Sequence, residues 1–236
     1  MNNEMLWVGM LLLNFALILV SYKVFGPVGL IAWIAVSGIV ANIQVTKTIE
    51  LFGLTATLGN IVYATSFLAT DILNERFGSG LARRSVWIGF GAIISTTLLM
   101  SLALGFTPAP DDTMAASLQN IFSLLPRITI ASLSAYVLAQ LHDVWAFNFW
   151  RHRVPSRLWV RNNLSTLVSQ AIDSLVFTTV AFAGVFPLSV FLEILLTTYV
   201  LKAIVAVLDT PVMYLSRHIR PFMDWDFREL EHAKQA

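Results

Sequence analysis

Long stretches of apolar residues alternate with short polar connections along most of the chain. Seven such stretches can be delimited: Leu6–Tyr22, Pro27–Ile43, Leu54–Leu73, Val86–Leu104, Ile128–Trp145, Asn163–Phe186 and Leu188–Leu208. Each has roughly 17–24 residues, enough for an α-helix rising ~1.5 Å per residue to cross ~30 Å of hydrocarbon. The pattern predicts an all-α integral membrane protein with about seven transmembrane helices. They form a single domain over residues 1–215, followed by a short cytoplasmic tail over residues 216–236.

The composition agrees with a protein solvated by lipid. Hydrophobic residues make up 57% of the 236 residues and charged residues only 12%, against ~25% charged in a soluble domain. The chain has no cysteine, which excludes disulfides, cysteine-ligated zinc and thiol nucleophiles. His142 and His152 lack ligand-spaced partners, so no metal site is expected. No cofactor is expected either. The net charge of +1 gives no indication of nucleic-acid binding.

The positions of lysine and arginine predict the orientation. No basic residue precedes the first stretch and no small-residue cleavage site follows it, so we expect no cleaved signal peptide. Basic residues concentrate in alternate connections, which face the cytoplasm by the positive-inside rule. In chain order they are Lys23; Arg76, Arg83 and Arg84; Arg151, Arg153, Arg157 and Arg161; and Arg217, Arg220, Arg228 and Lys234. Seven helices put every group on one side, which predicts a multi-pass membrane protein with its N-terminus outside and its C-terminus in the cytoplasm.

Polar residues interrupt four of the apolar stretches. They are Asp71 on the third, Gln140 and Asp143 on the fifth, Gln170 and Asp173 on the sixth and Lys202 on the seventh. Such residues are costly inside a bilayer and commonly functional. Counting from the cytoplasmic end of the sixth stretch places Gln170 and Asp173 about 10–15 Å deep, and Gln140 and Lys202 fall in the same half. This matching depth predicts a site for a small polar ligand. Alternatively, Asp173 and Lys202 neutralise each other, and Gln140 only joins helices.

Two further groups of polar residues lie nearer the membrane surfaces. Toward the outer face are Asn42, Gln44, Lys47, Glu50 and Asn60, with Arg127 entering the fifth helix; a short helix would bring some of them together, and solvated loops explain them equally well. At the cytoplasmic end of the third helix, Asp71 and Glu75 are four residues apart, which suits a gate, a ligand contact or local ion pairs. Ala131, Ala135 and Ala139 suit close helix packing, within one chain or across a homodimer.

Several motifs occur in a characteristic order between about Asn42 and Pro211. They include Ala41-Asn42-Ile43 through Lys47, Thr70-Asp71-Ile72-Leu73-Asn74-Glu75-Arg76-Phe77-Gly78, Ala82-Arg83, Arg127 with Ala131-Ser132 and Ala135-Tyr136, Gln140 with Asp143, Leu158-Trp159-Val160-Arg161-Asn162-Asn163 with Ser165-Thr166, and Gln170-Ala171-Ile172-Asp173 with Phe177. In these motifs the chain resembles the queuosine precursor transporter family, also called the VUT family.

The resemblance implies import of a queuosine precursor, 7-cyano-7-deazaguanine or 7-aminomethyl-7-deazaguanine, across the inner (cytoplasmic) membrane for queuosine synthesis in transfer RNA. A carboxylate such as Asp173 or Glu75 would accept the N–H groups of such a base. An amide such as Gln170, Gln140 or Asn42 would donate to its carbonyl, and Phe67 or Phe177 would cover its ring. The resemblance further implies the six-helix architecture of energy-coupling-factor substrate-binding subunits, with one added helix.

Two other functions remain compatible with the sequence. The chain could be the substrate-binding subunit of an energy-coupling-factor importer, or an intramembrane aspartyl hydrolase that uses Asp71 with Asp143 or Asp173. Both proton-coupled import and facilitated diffusion suit the polar residues. The expected substrate-binding residues are Asn42, Phe67, Asp71, Glu75, Gln140, Asp143, Gln170, Asp173, Phe177 and Lys202, and the expected residues of a wider polar pathway are Lys47, Glu50, Asn60, Arg127, Arg161, Ser165 and Thr166.

Overall fold

The computed structural model describes residues 2–122, 126–184 and 187–223. Its elements are α1 (Asn3–Gln44), β1 (Thr48–Leu51), β2 (Leu54–Thr57), α2 (Asn60–Phe77), α3 (Ser79–Ala103), α4 (Ala115–Phe122), α5 (Pro126–Arg153), α6 (Leu158–Phe182), α7 (Leu188–Leu208) and α8 (Thr210–Ser216). The described part of the chain is therefore almost entirely helical, as the hydropathy pattern predicts. The tail predicted over residues 216–236 is described up to Met223.

The long helix α1 consists of two antiparallel arms, residues 3–25 and 27–44. Gly26 has φ 59° and ψ −140° and is followed by Pro27, so the helical hydrogen bonding stops there. A straight helix of 42 residues would be about 63 Å long. Nevertheless, the Asn3 side chain donates to the Glu50 carbonyl over 2.8 Å, only six residues beyond the end of α1. The two arms correspond to the first two apolar stretches.

A short antiparallel hairpin, β1–β2, begins where the sequence predicts the third helix. Thr48 pairs with Thr57 and Leu51 with Leu54, and the turn uses Phe52 (φ 52°) and Gly53 (φ 75°). The prediction that this helix starts at Leu54 is therefore wrong by six residues. We call this side of the molecule the hairpin end.

The opposite side of the molecule gathers the basic connections, and we call it the basic end. Lys23, in the turn between the arms of α1, donates to the Arg220 carbonyl over 2.7 Å. Arg76, after the buried part of α2, donates to the Tyr22 hydroxyl over 3.1 Å and to the Arg217 carbonyl over 3.2 Å. The segment after α8 therefore packs under the turn of α1, and connections far apart in sequence meet there.

The α2 helix lies at the centre of the molecule. All its residues from 61 to 74 are buried apart from Tyr63, and it packs against α1, α3, α5 and α7. Within residues 2–122, 126–184 and 187–223, four helical segments are long and apolar enough to cross a membrane: Asn3–Gln44, Ser79–Ala103, Leu158–Phe182 and Phe191–Ser216. Their outer faces carry exposed leucines such as Leu98, Leu99 and Leu102, as expected for a surface in contact with lipid.

The alanine stripe of α5 is used inside the chain. Ala131, Ala135 and Ala139 are all fully buried, and α5 packs most extensively against α6. Small side chains allow the two helix backbones to approach closely. Packing of α5 against α6 within one chain therefore accounts for the three alanines. A homodimer stays a prediction.

Candidate functional site

A cavity opens between five helices and the second arm of α1, toward the hairpin end. Its empty volume is about 490 Å³, including the mouth, within the ~300–1,000 Å³ usual for ligand sites. It is lined by Ala41, Asn42, Val45, Gly59, Asn60, Tyr63, Ile93, Ser132, Ala135, Tyr136, Asp173, Phe177 and Lys202. The wall is mostly apolar, with a few polar groups from different helices, which is the usual composition of a small-molecule site.

An ion pair forms part of the cavity wall. The Lys202 ammonium on α7 donates to Asp173 Oδ2 on α6, and both side chains are buried. The other carboxylate oxygen, Oδ1, accepts a hydrogen bond from the Tyr63 hydroxyl over 2.5 Å. Lys202 also lies 4.7 Å from the centre of the Tyr63 ring, a cation–π distance. The two charges thus neutralise each other, as one of the alternatives supposed, and they also line the cavity.

Aromatic rings form a second wall. Tyr63, Tyr136 and Phe177 reach the cavity, and the first two rings pack edge to face with centroids 6.3 Å apart. Phe67 does not line it; this ring is fully buried behind Tyr63, 5.7 Å from it. Gly89 makes room for Tyr136, because a Cβ at Gly89 would lie 2.2 Å from the tyrosine hydroxyl oxygen.

Two tyrosines, Tyr63 and Tyr136, are among the lining residues that sequence reasoning missed. Tyr63 lies four residues before Phe67 and so on the same face of α2, while Tyr136 stands inside one of the motifs quoted above. Neither carries a charge, so neither stands out from an apolar helix.

The outer group of polar residues divides between the cavity and the surface. Asn42 and Asn60 line the cavity, and Asn60 Nδ2 is buried without a hydrogen-bond partner in the described structure. Lys47, just before β1, and Glu50, within β1, are exposed. The side chain of Arg127 lies outside the described residues.

The polar residues expected at one depth occupy two levels. Helix α6 begins at Leu158, so Asp173 lies about 22 Å along it rather than at the predicted 10–15 Å. Gln140 is fully buried and does not line the cavity; its amide donates to Ser66 Oγ over 2.9 Å and accepts from Thr70 over 3.1 Å. Gln170 is also fully buried off the cavity, and both of its amide atoms lack a partner in the described structure.

Three carboxyl groups lie on the level below the cavity. Thr166 donates to Asp71 over 3.1 Å, and Ser169 donates to Asp143 over 3.1 Å. Asn162 donates to Asp209 over 2.9 Å, a residue that sequence reasoning did not single out. We call Asp71, Asp143 and Asp209 the acidic layer; all three are fully buried. Ser165 is buried one turn before Ser169 and donates to the Asn162 carbonyl.

A second buried ion pair lies at the basic end. Arg161 on α6 donates to Glu75 on α2, and both side chains are more than nine-tenths buried. Arg161 also donates to the Pro155 carbonyl over 2.7 Å, and Arg217 lies 4.0 Å from the Glu75 carboxylate. Glu75 and Arg161 are therefore far from the cavity wall and act between helices.

The family model described as "Putative vitamin uptake transporter" matches residues 57–216. A Bacillus subtilis protein named "Probable queuosine precursor transporter" is 43% identical over 223 residues, covering 94% of this chain and 97% of that protein. The chain belongs to the queuosine precursor transporter family.

Other members of the family support the same placement. The Escherichia coli "Queuosine precursor transporter" is 31% identical over 180 residues, 74% of this chain and 78% of that protein. A Haemophilus influenzae protein named "Probable queuosine precursor transporter" is 30% identical over 132 residues, 56% of this chain and 54% of that protein. No solved structure matches the chain. The family resemblance of the sequence motifs is therefore confirmed.

Family membership favours a transporter over an aspartyl hydrolase. Asp71 and Asp143 do lie together, but they are buried and do not line the cavity. Among the described lining residues Asp173 is the single carboxylate, and it is paired with Lys202. A hydrolase of this type needs two carboxylates facing one water-filled site, and the described lining of this cavity presents one.

Proposed function

We propose that this member of the queuosine precursor transporter family imports a 7-deazaguanine base and binds it in the cavity. The observation that carries the proposal is the arrangement of the Asp173–Lys202 pair opposite aromatic rings within one cavity. The names of the relatives supply the substrate class.

The chemistry of the wall suits the edge of a guanine-type base. Such an edge presents two adjacent N–H donors and one carbonyl acceptor. The Asp173 carboxylate can accept from both donors, and the Lys202 ammonium can donate to the carbonyl. The base would take over the hydrogen bond that the Tyr63 hydroxyl makes in the present structure. Tyr136 and Phe177 offer ring faces for stacking.

The proposal includes seven transmembrane spans, which the two arms of α1 and the five long helices after them support. The two arms of α1 are the first and second spans, and α2, α3, α5, α6 and α7 are the others. Lys23, Arg76, Arg161 and Arg217 meet at one end of the molecule, which supports a cytoplasmic basic end. The hairpin end and the N-terminus then lie outside the inner membrane.

Cysteine labelling tests this topology directly, because the chain has no native cysteine. In intact cells a membrane-impermeant maleimide is expected to label Asp111→Cys, in the connection between α3 and α4. The same reagent is expected to label Arg157→Cys, between α5 and α6, only after the cells are permeabilised. Both positions are exposed. The reverse labelling pattern would place the basic end outside and contradict the orientation.

Ligand-dependent thermal stabilisation tests the substrate class. Both 7-deazaguanine precursors are expected to raise the unfolding temperature of the purified protein, since a ligand at 100 times its Kd contributes about 2.7 kcal/mol of stability. Adenine should have little effect, because its edge offers an acceptor where guanine carries N–H. Stabilisation by adenine but not by the deazaguanines would reject the proposal.

Uptake assays separate the alternatives. Labelled precursor should accumulate in cells that express this protein and cannot synthesise the precursor themselves. Uptake into liposomes by the purified chain alone would show an autonomous carrier, whereas a requirement for a separate energising complex would identify an energy-coupling-factor subunit.

A further inference from the structure

The acidic layer consists of three carboxyl groups brought together from different helices. Asp71 on α2 and Asp143 on α5 are neighbours, because Thr166 and Ser169, one turn apart on α6, donate to them. Asp209, at the end of α7, acts electrostatically on both. Within the described part of the chain none of the three forms an ion pair, since the buried arginine and lysine are engaged by Glu75 and Asp173. The acidic layer is thus a cluster of carboxyl groups that has no ion-pair partner among the described residues.

Amide groups beside the layer also present unused acceptors. The Nδ2 group of Asn74 donates to the Val144 carbonyl over 3.0 Å, and that of Asn162 donates to Asp209. In both amides the oxygen is buried and has no partner in the described structure, and the same is true of one oxygen in each carboxyl group. These five oxygens are Asp71 Oδ1, Asn74 Oδ1, Asp143 Oδ2, Asn162 Oδ1 and Asp209 Oδ2. They all accept, so what the layer needs is a positive charge or a hydrogen donor.

A small cation satisfies this requirement. Neighbouring carboxylates repel each other, and in a membrane interior neither water nor a counter-ion screens them. A proton on one carboxyl group removes a negative charge and gives that group an O–H with which to donate to an unpartnered oxygen nearby. A proton also needs no coordination space of its own, which favours it over a larger monovalent cation such as Na⁺.

We propose that the acidic layer is a cation site, distinct from the cavity, at which a proton is carried together with the substrate. The proposal rests on the proposed function, because it assumes that the cavity binds a transported base. Binding of a proton at the acidic layer would allow the carrier to concentrate its substrate by using a proton gradient.

Gln170 provides a physical connection between the two sites. It lies one turn from Thr166, which donates to Asp71, and one turn from Asp173 in the cavity wall, all on one face of α6. Its buried amide has no partner at either end in the described structure. An amide in this position can donate toward one site and accept from the other, so loading of one site changes the hydrogen bonding available to the other.

Other titratable groups surround the layer, and most have partners. On α5 the His142 ring contacts Ser169 Oγ over 2.9 Å, and Ser169 in turn donates to Asp143. His142 is partly exposed, so this chain of contacts is a route by which a proton can reach the layer. Other charged or titratable groups of the described enclosing helices include the Glu75–Arg161 pair, the Asp173–Lys202 pair, the buried Tyr136 and the partly buried Tyr63. The partly buried Arg151 donates to the Asn74 carbonyl over 2.9 Å.

Transport by purified protein in liposomes tests the proposal with two measurements. Counterflow of labelled 7-cyano-7-deazaguanine needs only binding and carriage, whereas concentrative uptake needs coupling to an ion gradient. The wild type is expected to concentrate the base under an inward proton gradient and to stop when a protonophore is added. Asp143→Asn and Asp71→Asn are each expected to lose concentrative uptake and to keep counterflow. Asp111→Asn, which changes an exposed carboxylate in the α3–α4 connection, should keep both.

The outcomes separate the two proposals. If the wild type shows no counterflow, the proposed function fails, whatever the role of the layer. If the wild type shows counterflow but no gradient drives concentration, or if both variants still concentrate the base, the cation site is rejected. Concentration driven by Na⁺ and lost in the same variants supports the site but replaces the proton by Na⁺. Counterflow also shows that a variant is folded, and base-induced thermal stabilisation checks this independently.

Discussion

The double substitution Asp173→Asn with Lys202→Met is expected to abolish precursor binding while leaving the protein folded. Asp173 offers charge-assisted hydrogen bonds to two N–H groups of the proposed base, each worth about 1.5–3 kcal/mol. Loss of both hydrogen bonds predicts a fall in affinity of about 100-fold or more. Titration of the thermal shift with 7-cyano-7-deazaguanine measures the affinity, and uptake of the labelled base should fall in parallel.

The double variant is informative because it removes both charges at once. Asp173→Asn alone leaves the Lys202 ammonium buried without its partner, which costs about 3–5 kcal/mol and would confuse loss of binding with unfolding. The control is Glu193→Gln, which neutralises an exposed carboxylate on the same helix as Lys202. Binding by the double variant at wild-type affinity would show that the cavity is not the substrate site.

Removal of Arg161 is expected to cause a large loss of stability. Arg161 joins α6 to α2 through the buried Glu75 carboxylate, and its loss leaves that carboxylate with only Arg217, 4.0 Å away and half exposed. Breaking a buried pair costs about 3–5 kcal/mol. Thermal unfolding in detergent should therefore show a markedly lower transition for Arg161→Ala.

Paired substitution distinguishes a charge effect from lost packing. The double variant Glu75→Gln with Arg161→Gln leaves no orphan charge, so it should be more stable than Arg161→Ala. Arg84→Ala, at an exposed position on α3, should unfold as the wild type does. If Arg161→Ala unfolds at the wild-type temperature, the pair does not hold α2 and α6 together at the basic end.

Several parts of the fold could be predicted from the sequence because they depend on local properties. Hydropathy is summed along the chain, so the apolar stretches mark helices wherever they fold. The Gly26-Pro27 pair interrupts helical hydrogen bonding by itself, and it separates the first two stretches as the arms of α1 are separated. The start of α2 was misplaced because β1–β2 depends on pairing between Thr48–Leu51 and Leu54–Thr57.

The candidate site could be predicted only in part. Intramembrane charge marked Asp173 and Lys202, and the structure places both in the cavity wall. The same signal marked Asp71 and Asp143 equally, although they lie in a separate acidic layer. Tyr63 escaped notice because a tyrosine in an apolar helix resembles a core residue until its hydroxyl is seen to donate to Asp173.

The sequence by itself determined that this is a helical membrane protein, which residues are polar inside it, and which of them share a helix face. Only the tertiary structure decided which faces meet and at what level. The reason is geometric: sliding one helix along another by a single turn moves its side chains by about 5.4 Å, more than the length of a hydrogen bond. Packing contacts and connections set that offset, and the spacing within any one helix does not contain it.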